Sequence, residues 1–241
     1  MSEDVKIIQG NCLDVLKEID DGSIDLIITD PGYESIEIHR YGGKNNIRKM
    51  STKDGWWSEP FKNESYASLF CELYRVLKKD SHLYMFADTA TKIMVMSGYD
   101  VIKKKSYGPP PWLVAGFDFA NDLVWVRSKR DIEADRLVLE NVWFRMGYHY
   151  RKSKDFILFF QKGKRKIRSF GIPDVLPYRP PTGGFPTQKP DALIGVLMRM
   201  SSVKGETVLD VFAGSGVVGR VARKSNRKAI LIDLDTSGIK L

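Results

Sequence analysis

"TVLDVFAGSGVVGRVA" (residues 207–222) runs from a β-favouring stretch into a helical pattern through glycines. Gly214, Gly216 and Gly219 keep G-x-G-x-x-G spacing. Such a turn lets main chain approach a ligand at a helix N-terminus. "AILIDL" (229–234) follows as a second strand. It carries Asp233, 17 residues after Gly216, near the roughly 20 expected of a carboxylate that takes a ribose diol. The glycines alone are a weak signal. Within strand, turn, helix, strand and acid they make a nucleoside-binding one. The position in the chain decides the fold. Such a unit normally opens a nucleotide-binding sheet, yet the chain ends eight residues after Asp233. One βαβ unit does not make a stable sheet, so the other strands must come from earlier residues. The expected sheet is circularly permuted, with the glycine-turn half last. A dinucleotide-dependent dehydrogenase would continue into further βαβ units, which argues against one.

Working outward, strands are expected at VKIIQ (5–9), IDLIIT (24–29), HLYMFA (82–87), DLVWVR (122–127), DFILFF (155–160), TVLDVF (207–212) and AILIDL (229–234). Continuous apolar runs suit strands covered on both faces. Helical spacing is found at 12–19, 66–77, 89–97, 191–200 and 217–224. Alternation of the two predicts an α/β fold: a Rossmann-like, seven-stranded, mostly parallel sheet flanked by helices. Residues 34–63, 106–121 and 162–186 break the alternation and read as long loops, a class that is often functional. Residues 129–145 read as an inserted helical segment. No clean linker is visible, so one domain over 1–241 is expected.

Composition narrows the partners. The net charge is +8, and the excess is clustered at 44–53, 103–105, 127–130, 151–154 and 162–168, with Trp56, Trp57, Tyr107, Trp112, Trp143, Tyr148 and Tyr150 close by. Basic clusters interleaved with aromatics suit a polyanion with stackable bases. Two cysteines without a CxxC, and three histidines without ligand spacing, predict neither a disulfide framework nor a metal site. No run of about 18 apolar residues exists, and the N-terminus lacks a signal-peptide layout, so a cytoplasmic protein is expected.

A second stretch sits at the other end of the chain. "SIDLIITDPGYESIE" (23–37) delivers Asp30, Pro31, Gly32 and Tyr33 to the carboxyl end of a buried strand. A turn explains Pro31 and Gly32, but not an acid and an aromatic ring beside them.

Together these residues resemble the amino-group DNA methyltransferases that use S-adenosylmethionine, in the permuted order called the β class. Asp30-Pro31-Gly32-Tyr33 stands where that family has D-P-P-Y/W. Phe212-Ala213-Gly214-Ser215-Gly216, after Leu209-Asp210, stands for its F-x-G-x-G. Thr187-Gln188-Lys189-Pro190 matches its T-Q/E-K-P, and Gly10-Asn11 its G-D. "GYHYRKSKDFILFFQKGKRK" (147–166) looks like a subgroup of phage and bacterial adenine methyltransferases. The resemblance implies Asp30, Pro31 and Tyr33 as the catalytic group. It implies Asn11, Thr187, Lys189, Asp210, Phe212, Gly214, Ser215, Gly216 and Asp233 around S-adenosylmethionine, with Thr187 and Lys189 on its carboxylate. Cytosine-N4 members usually have Ser in place of Asp, so Asp30 implies adenine-N6 in double-stranded DNA. Cytosine-N4 or RNA methylation, and a catalytically weak nucleic-acid-binding relative, stay open at this point. Lys44, Arg48, Lys49, Arg151, Lys164 and Arg165 are the candidate nucleic-acid contacts, and many members of the family are homodimers. Two departures stand out. Gly32 replaces a proline and loosens the turn, and Asn11 replaces an aspartate that touches the adenine of the cofactor.

Overall fold

All six residues from Ile24 to Thr29 are buried, which is possible only where helices cover both faces of a strand. The structure, a computed structural model, describes residues 4–34, 60–128, 153–182 and 187–241. Its strands are β1 (Val5–Gln9), β2 (Ile24–Thr29), β3 (Leu77–Ala87), β4 (Tyr99–Asp100), β5 (Lys105–Ser106), β6 (Asp118–Arg127), β7 (Lys154–Lys162), β8 (Val175–Tyr178), β9 (Thr207–Asp210) and β10 (Lys228–Asp233). The helices are α1 (Cys12–Leu16), α2 (Tyr66–Val76), α3 (Thr89–Ser97), α4 (Pro111–Ala115), α5 (Asp191–Ser201) and α6 (Val217–Lys224).

Among the described residues, eight strands form one sheet in the order β1-β10-β9-β2-β3-β7-β6-β8, and β4 and β5 make a separate ribbon. β7 is antiparallel to both β3 and β6, the other pairings of the eight-stranded sheet are parallel, and β4 and β5 are antiparallel. β9 and β10, last in the chain, lie between β1 and β2, so the permuted order is present. The eighth strand, β8, falls inside the stretch expected to be a loop at 162–186. The expected loop at 106–121 likewise holds the end of β5, α4 and the start of β6. Helix α1 stops at Leu16, short of the expected 19. The helical segment expected at 129–145 lies outside the described residues.

Side chains alternate across the sheet as the two-residue strand period requires. Ile27, Leu83, Met85, Leu158, Phe160, Leu209 and Ile232 pack on one face with α1, α2 and α3. Leu26, Ile28, Tyr84, Phe86, Ile157, Val208 and Leu231 pack on the other with α5 and α6. The chain therefore leaves β2 toward one face and β9 toward the other, although the two strands are neighbours. Their carboxyl ends diverge into a crevice, the place where open α/β sheets bind ligands. No helix among the described residues is long and apolar enough to cross a membrane.

Candidate active site

Two acids stand at the mouth of that crevice, Asp30 just past β2 and Asp210 at the end of β9. Asp210 is buried, and its Oδ1 accepts both the Thr29 hydroxyl at 3.0 Å and the Phe212 N–H at 3.1 Å. Thr29 thus joins the two strand ends, a contact that no motif announces. Burial pushes the Asp210 carboxyl up to about 7, and the charges of Asp30 and Asp233 add to the rise. The charges of Asp30 and Asp233 beside Asp210 make the crevice acidic, a place that favours a cation, and the Lys189 ammonium already sits against Asp30.

After Asp210 the chain bends through the glycines. Gly214 and Gly216 have positive φ, +48° and +75°, conformations that glycine enters without steric penalty. A Cβ on Gly216 would stand 2.6 Å from the Ile239 side chain, and the Lys240 N–H donates to the carbonyl of buried Ser215 at 3.1 Å. The final residues thus brace the turn. The Gly214 N–H donates to Asp233 Oδ2 at 2.7 Å, and the Asp235 N–H to Asp233 Oδ1 at 3.2 Å. Each oxygen keeps a second lone pair, enough to accept a vicinal diol. Asn11 lies at the end of β1, next to β10. Its Oδ1 accepts the Leu13 N–H at 2.9 Å and caps α1, which leaves the second lone pair of that oxygen and the amide NH2 for a ligand.

On the β2 side, the Tyr33 hydroxyl donates to Asp30 Oδ1 at 2.6 Å. Burial, and then the Asp30 charge, raise the Tyr33 phenol well above its ordinary value, so it stays a donor. Lys189 forms an ion pair with Asp30 Oδ2. Its ammonium lies 4.9 Å from the centre of the Phe86 ring, and the Thr187 carbonyl is 3.5 Å away. Lys189 is buried, whereas Thr187, with φ +69°, is exposed. The resemblance assigns Lys189 to the cofactor carboxylate, but here its partner is Asp30.

Phe61 is the residue that sequence reasoning passed over. Its N–H donates to the Gly32 carbonyl at 2.9 Å, and it bridges Tyr33. Its ring meets Phe212 edge-on with centroids 5.1 Å apart, and Tyr66 at the same separation. It links the two turns that the motifs identify separately. The looseness expected of Gly32 is offset by this bond. Gly32 is not in the positive-φ region, and its N–H makes no hydrogen bond to a described residue. Gly32→Pro should therefore be tolerated. The expected gain is about 0.4–1 kcal/mol through the unfolded chain, read as a small rise in urea midpoint with methyl transfer retained.

Two of the six predicted basic residues, Lys164 and Arg165, are among the described residues. Lys44, Arg48, Lys49 and Arg151 lie outside the described residues. Lys164 and Arg165 lie past the carboxyl end of β7. Because β7 runs against β3, with Lys162 opposite Ser81 and Phe156 opposite Ala87, that end is at the amino end of β3, across the sheet from Asp30. Arg165 Nη2 pairs with both Glu206 oxygens at 3.0 Å, and its carbonyl accepts from His82 Nε2 at 2.9 Å. A run of lysines and arginines carries no sign of its strand's direction.

With the geometry in place, the DNA methylase family model (N6/N4 methyltransferases) matches residues 24–241. The chain belongs to the DNA methylase family. The methylase is 30% identical over 259 residues to the DNA adenine methyltransferase YhdJ of Escherichia coli K12, covering 98% of this chain and 80% of that protein. Its fold is similar to that of the solved M1.HpyAVI–SAM complex, at TM-score 0.61 and 16% identity, covering 96% and 94% of the two chains. It is also similar to the cytosine-N4-specific PvuII DNA methyltransferase, at TM-score 0.63 and 16% identity, covering 96% and 82%. At these identities the solved structures speak for the fold alone, and that fold is shared with a cytosine-N4-specific enzyme.

Proposed function

We propose that the methylase transfers the methyl group of S-adenosylmethionine to the exocyclic N6 amine of an adenine flipped out of double-stranded DNA. The observation that carries this reading is the crevice between β2 and β9. It has an acid, a proline carbonyl and an aromatic ring on one lip, and a glycine turn with two further acids on the other. The residues present fit the cofactor. Asp233 has lone pairs for the ribose hydroxyls, the Gly214–Gly216 turn leaves main chain open to approach, and the acidic crevice favours a sulfonium. Phe212, Ser215 and Asn11 border that side. When bound, S-adenosylmethionine supplies an electrophilic methyl on sulfur.

The remaining chemistry falls to the chain. An adenine N6 amine is a weak nucleophile because its lone pair is delocalised into the ring. Asp30 can accept one amine hydrogen. The Pro31 carbonyl, which accepts no hydrogen bond from a described residue, can accept the other. Two acceptors draw the nitrogen toward tetrahedral geometry and stabilise the charge that develops on it. Fixed alignment of amine and methyl supplies much of the rate. A base paired in a duplex must leave the stack to reach Asp30, and the Tyr33 ring offers a surface that offsets part of that cost.

DNA contact is assigned to 34–63, 129–145 and the later part of 162–186, with Lys44, Arg48, Lys49 and Arg151 as its cations. Supporting this, the described residues that flank these segments lie on the Asp30 side. Phe61 bridges Tyr33, and the Arg127 N–H donates to the Ser153 carbonyl at 2.9 Å. A cytoplasmic location and a homodimer rest on the sequence reading and the resemblance. Radiolabelled S-adenosylmethionine offered with DNA, RNA or protein tests the reading. Label is expected in DNA and, after hydrolysis, in N6-methyladenine. Label in RNA alone, or in N4-methylcytosine, would overturn it.

A further inference from the structure

Both oxygens of Asp30 are engaged within the protein, Oδ1 by the Tyr33 hydroxyl and Oδ2 by the Lys189 ammonium. A neutral amine is a poorer donor to a carboxylate than an ammonium is, because the ammonium adds the attraction of an opposite charge to the hydrogen bond. Each oxygen keeps a second lone pair, but the ammonium on Oδ2 weakens the pull of the carboxylate on an amine hydrogen, and an incoming base does not displace Lys189 by its own strength. Lys189 must first find another anion. It has a long flexible stem, and its other polar neighbour among the described residues is the Thr187 carbonyl, at the limit of hydrogen bonding.

Resting on the proposed function, we infer that Lys189 is a positioning residue that exchanges anions. It covers Asp30, and the carboxylate of the methionine moiety of the cofactor draws it away, leaving Oδ2 to the target amine. The chemistry places that carboxylate within reach. Methyl transfer requires the methyl carbon about 3–3.5 Å from the amine nitrogen, and the amine is held by Asp30. The carboxylate is only three carbons from the sulfur, so it comes within the span of a lysine side chain from Asp30. Cofactor binding and exposure of the catalytic acid are thereby coupled through one side chain. A base entering without cofactor meets a covered Asp30.

Competition for one ammonium has a signature in binding that needs neither DNA nor turnover. S-adenosylhomocysteine is the ligand of choice because it lacks the sulfonium, so Asp30 acts on it through Lys189 and not through charge on sulfur. Its analogue lacking only the carboxylate is the control. In calorimetric titrations, wild type is expected to bind S-adenosylhomocysteine at least about ten-fold more tightly than the analogue. Lys189→Met should abolish most of that preference, with the analogue unaffected. Asp30→Asn, nearly isosteric, should tighten S-adenosylhomocysteine about three- to ten-fold by releasing Lys189, again without changing the analogue, whose constant affinity also reports an intact fold. If Asp30→Asn leaves the ratio of the two affinities at its wild-type value, Lys189 does not exchange and the inference is wrong, while the methylase reading stands. If neither ligand binds wild type, the inference and the proposed function both fall.

Discussion

Asp30→Ala is expected to lower methyl transfer by about 10³-fold or more, while affinity for S-adenosylmethionine stays within a few-fold of wild type. Removing a single preorganised group aimed at developing charge typically costs about 10²–10³ in turnover. Here alignment of the amine is lost as well, because Pro31 alone fixes one hydrogen. Affinity is spared by two opposing effects. The sulfonium loses one nearby anion, but Lys189 loses its competitor. The variant also strands the ammonium of Lys189, whose side chain is only 7% exposed, and removing one partner of a buried ion pair costs about 3–5 kcal/mol. Pairing Asp30→Ala with Lys189→Met should recover that stability without recovering turnover. Recovered stability with absent turnover separates a chemical role for Asp30 from a structural one. Near-normal turnover in Asp30→Ala would remove the mechanism altogether.

The second large effect concerns stability. Asp210→Asn is expected to make the fold more stable at pH 8 by a few kcal/mol, although it changes a buried residue of the crevice. Both hydrogen bonds that the side chain accepts go to Oδ1, and asparagine keeps a carbonyl oxygen there. The charge is lost, and the NH2 that takes the place of Oδ2, without a described partner there, gives back about 1–3 kcal/mol of the gain. In the folded chain the carboxyl is pushed up from 3.8 to about 7, chiefly by burial. Between those values the folded chain holds a proton that the unfolded chain has released. Wild-type stability therefore falls as pH rises from about 4 to about 7, by up to about 1.4 kcal/mol per unit. The variant lacks that term. Burial lowers the His82 imidazole below its usual value, an effect of opposite sign that raises stability as pH climbs toward that value. It is common to both proteins and cancels in their difference. Urea midpoints at pH 5, 6, 7 and 8 should show a gap that opens with pH. A variant that is less stable at pH 8 would mean that the Asp210 carboxylate holds the strand ends together by its charge.

Much of the sheet was legible because burial on two faces writes continuous apolar runs. The seven expected strands are present, and the run at 229–234 with its neighbouring glycine turn placed the last strands inside the sheet. β8 was not legible for a physical reason. It is four residues long and contains Pro177, which belongs on an edge strand, and β8 does lie at the sheet edge. The site was legible as two separate motifs. What joins them was not, because the joining residues act across long separations with no local pattern. Phe61 reaches the Gly32 carbonyl and the Phe212 ring, Thr29 reaches Asp210, and Lys189 reaches Asp30 across 159 positions. Lys164 and Arg165 show the converse, a clear composition signal whose place depended on the direction of β7.

The central claim is that this crevice methylates adenine N6 in DNA. The most direct measurement is modified-base sequencing of genomic DNA from a methylation-deficient host expressing the chain, with Asp30→Ala as the paired control. N6-methyladenine is expected at one fixed sequence context in the wild type and at none in the variant. N4-methylcytosine instead, no modified base at all, or an identical pattern from Asp30→Ala would contradict it.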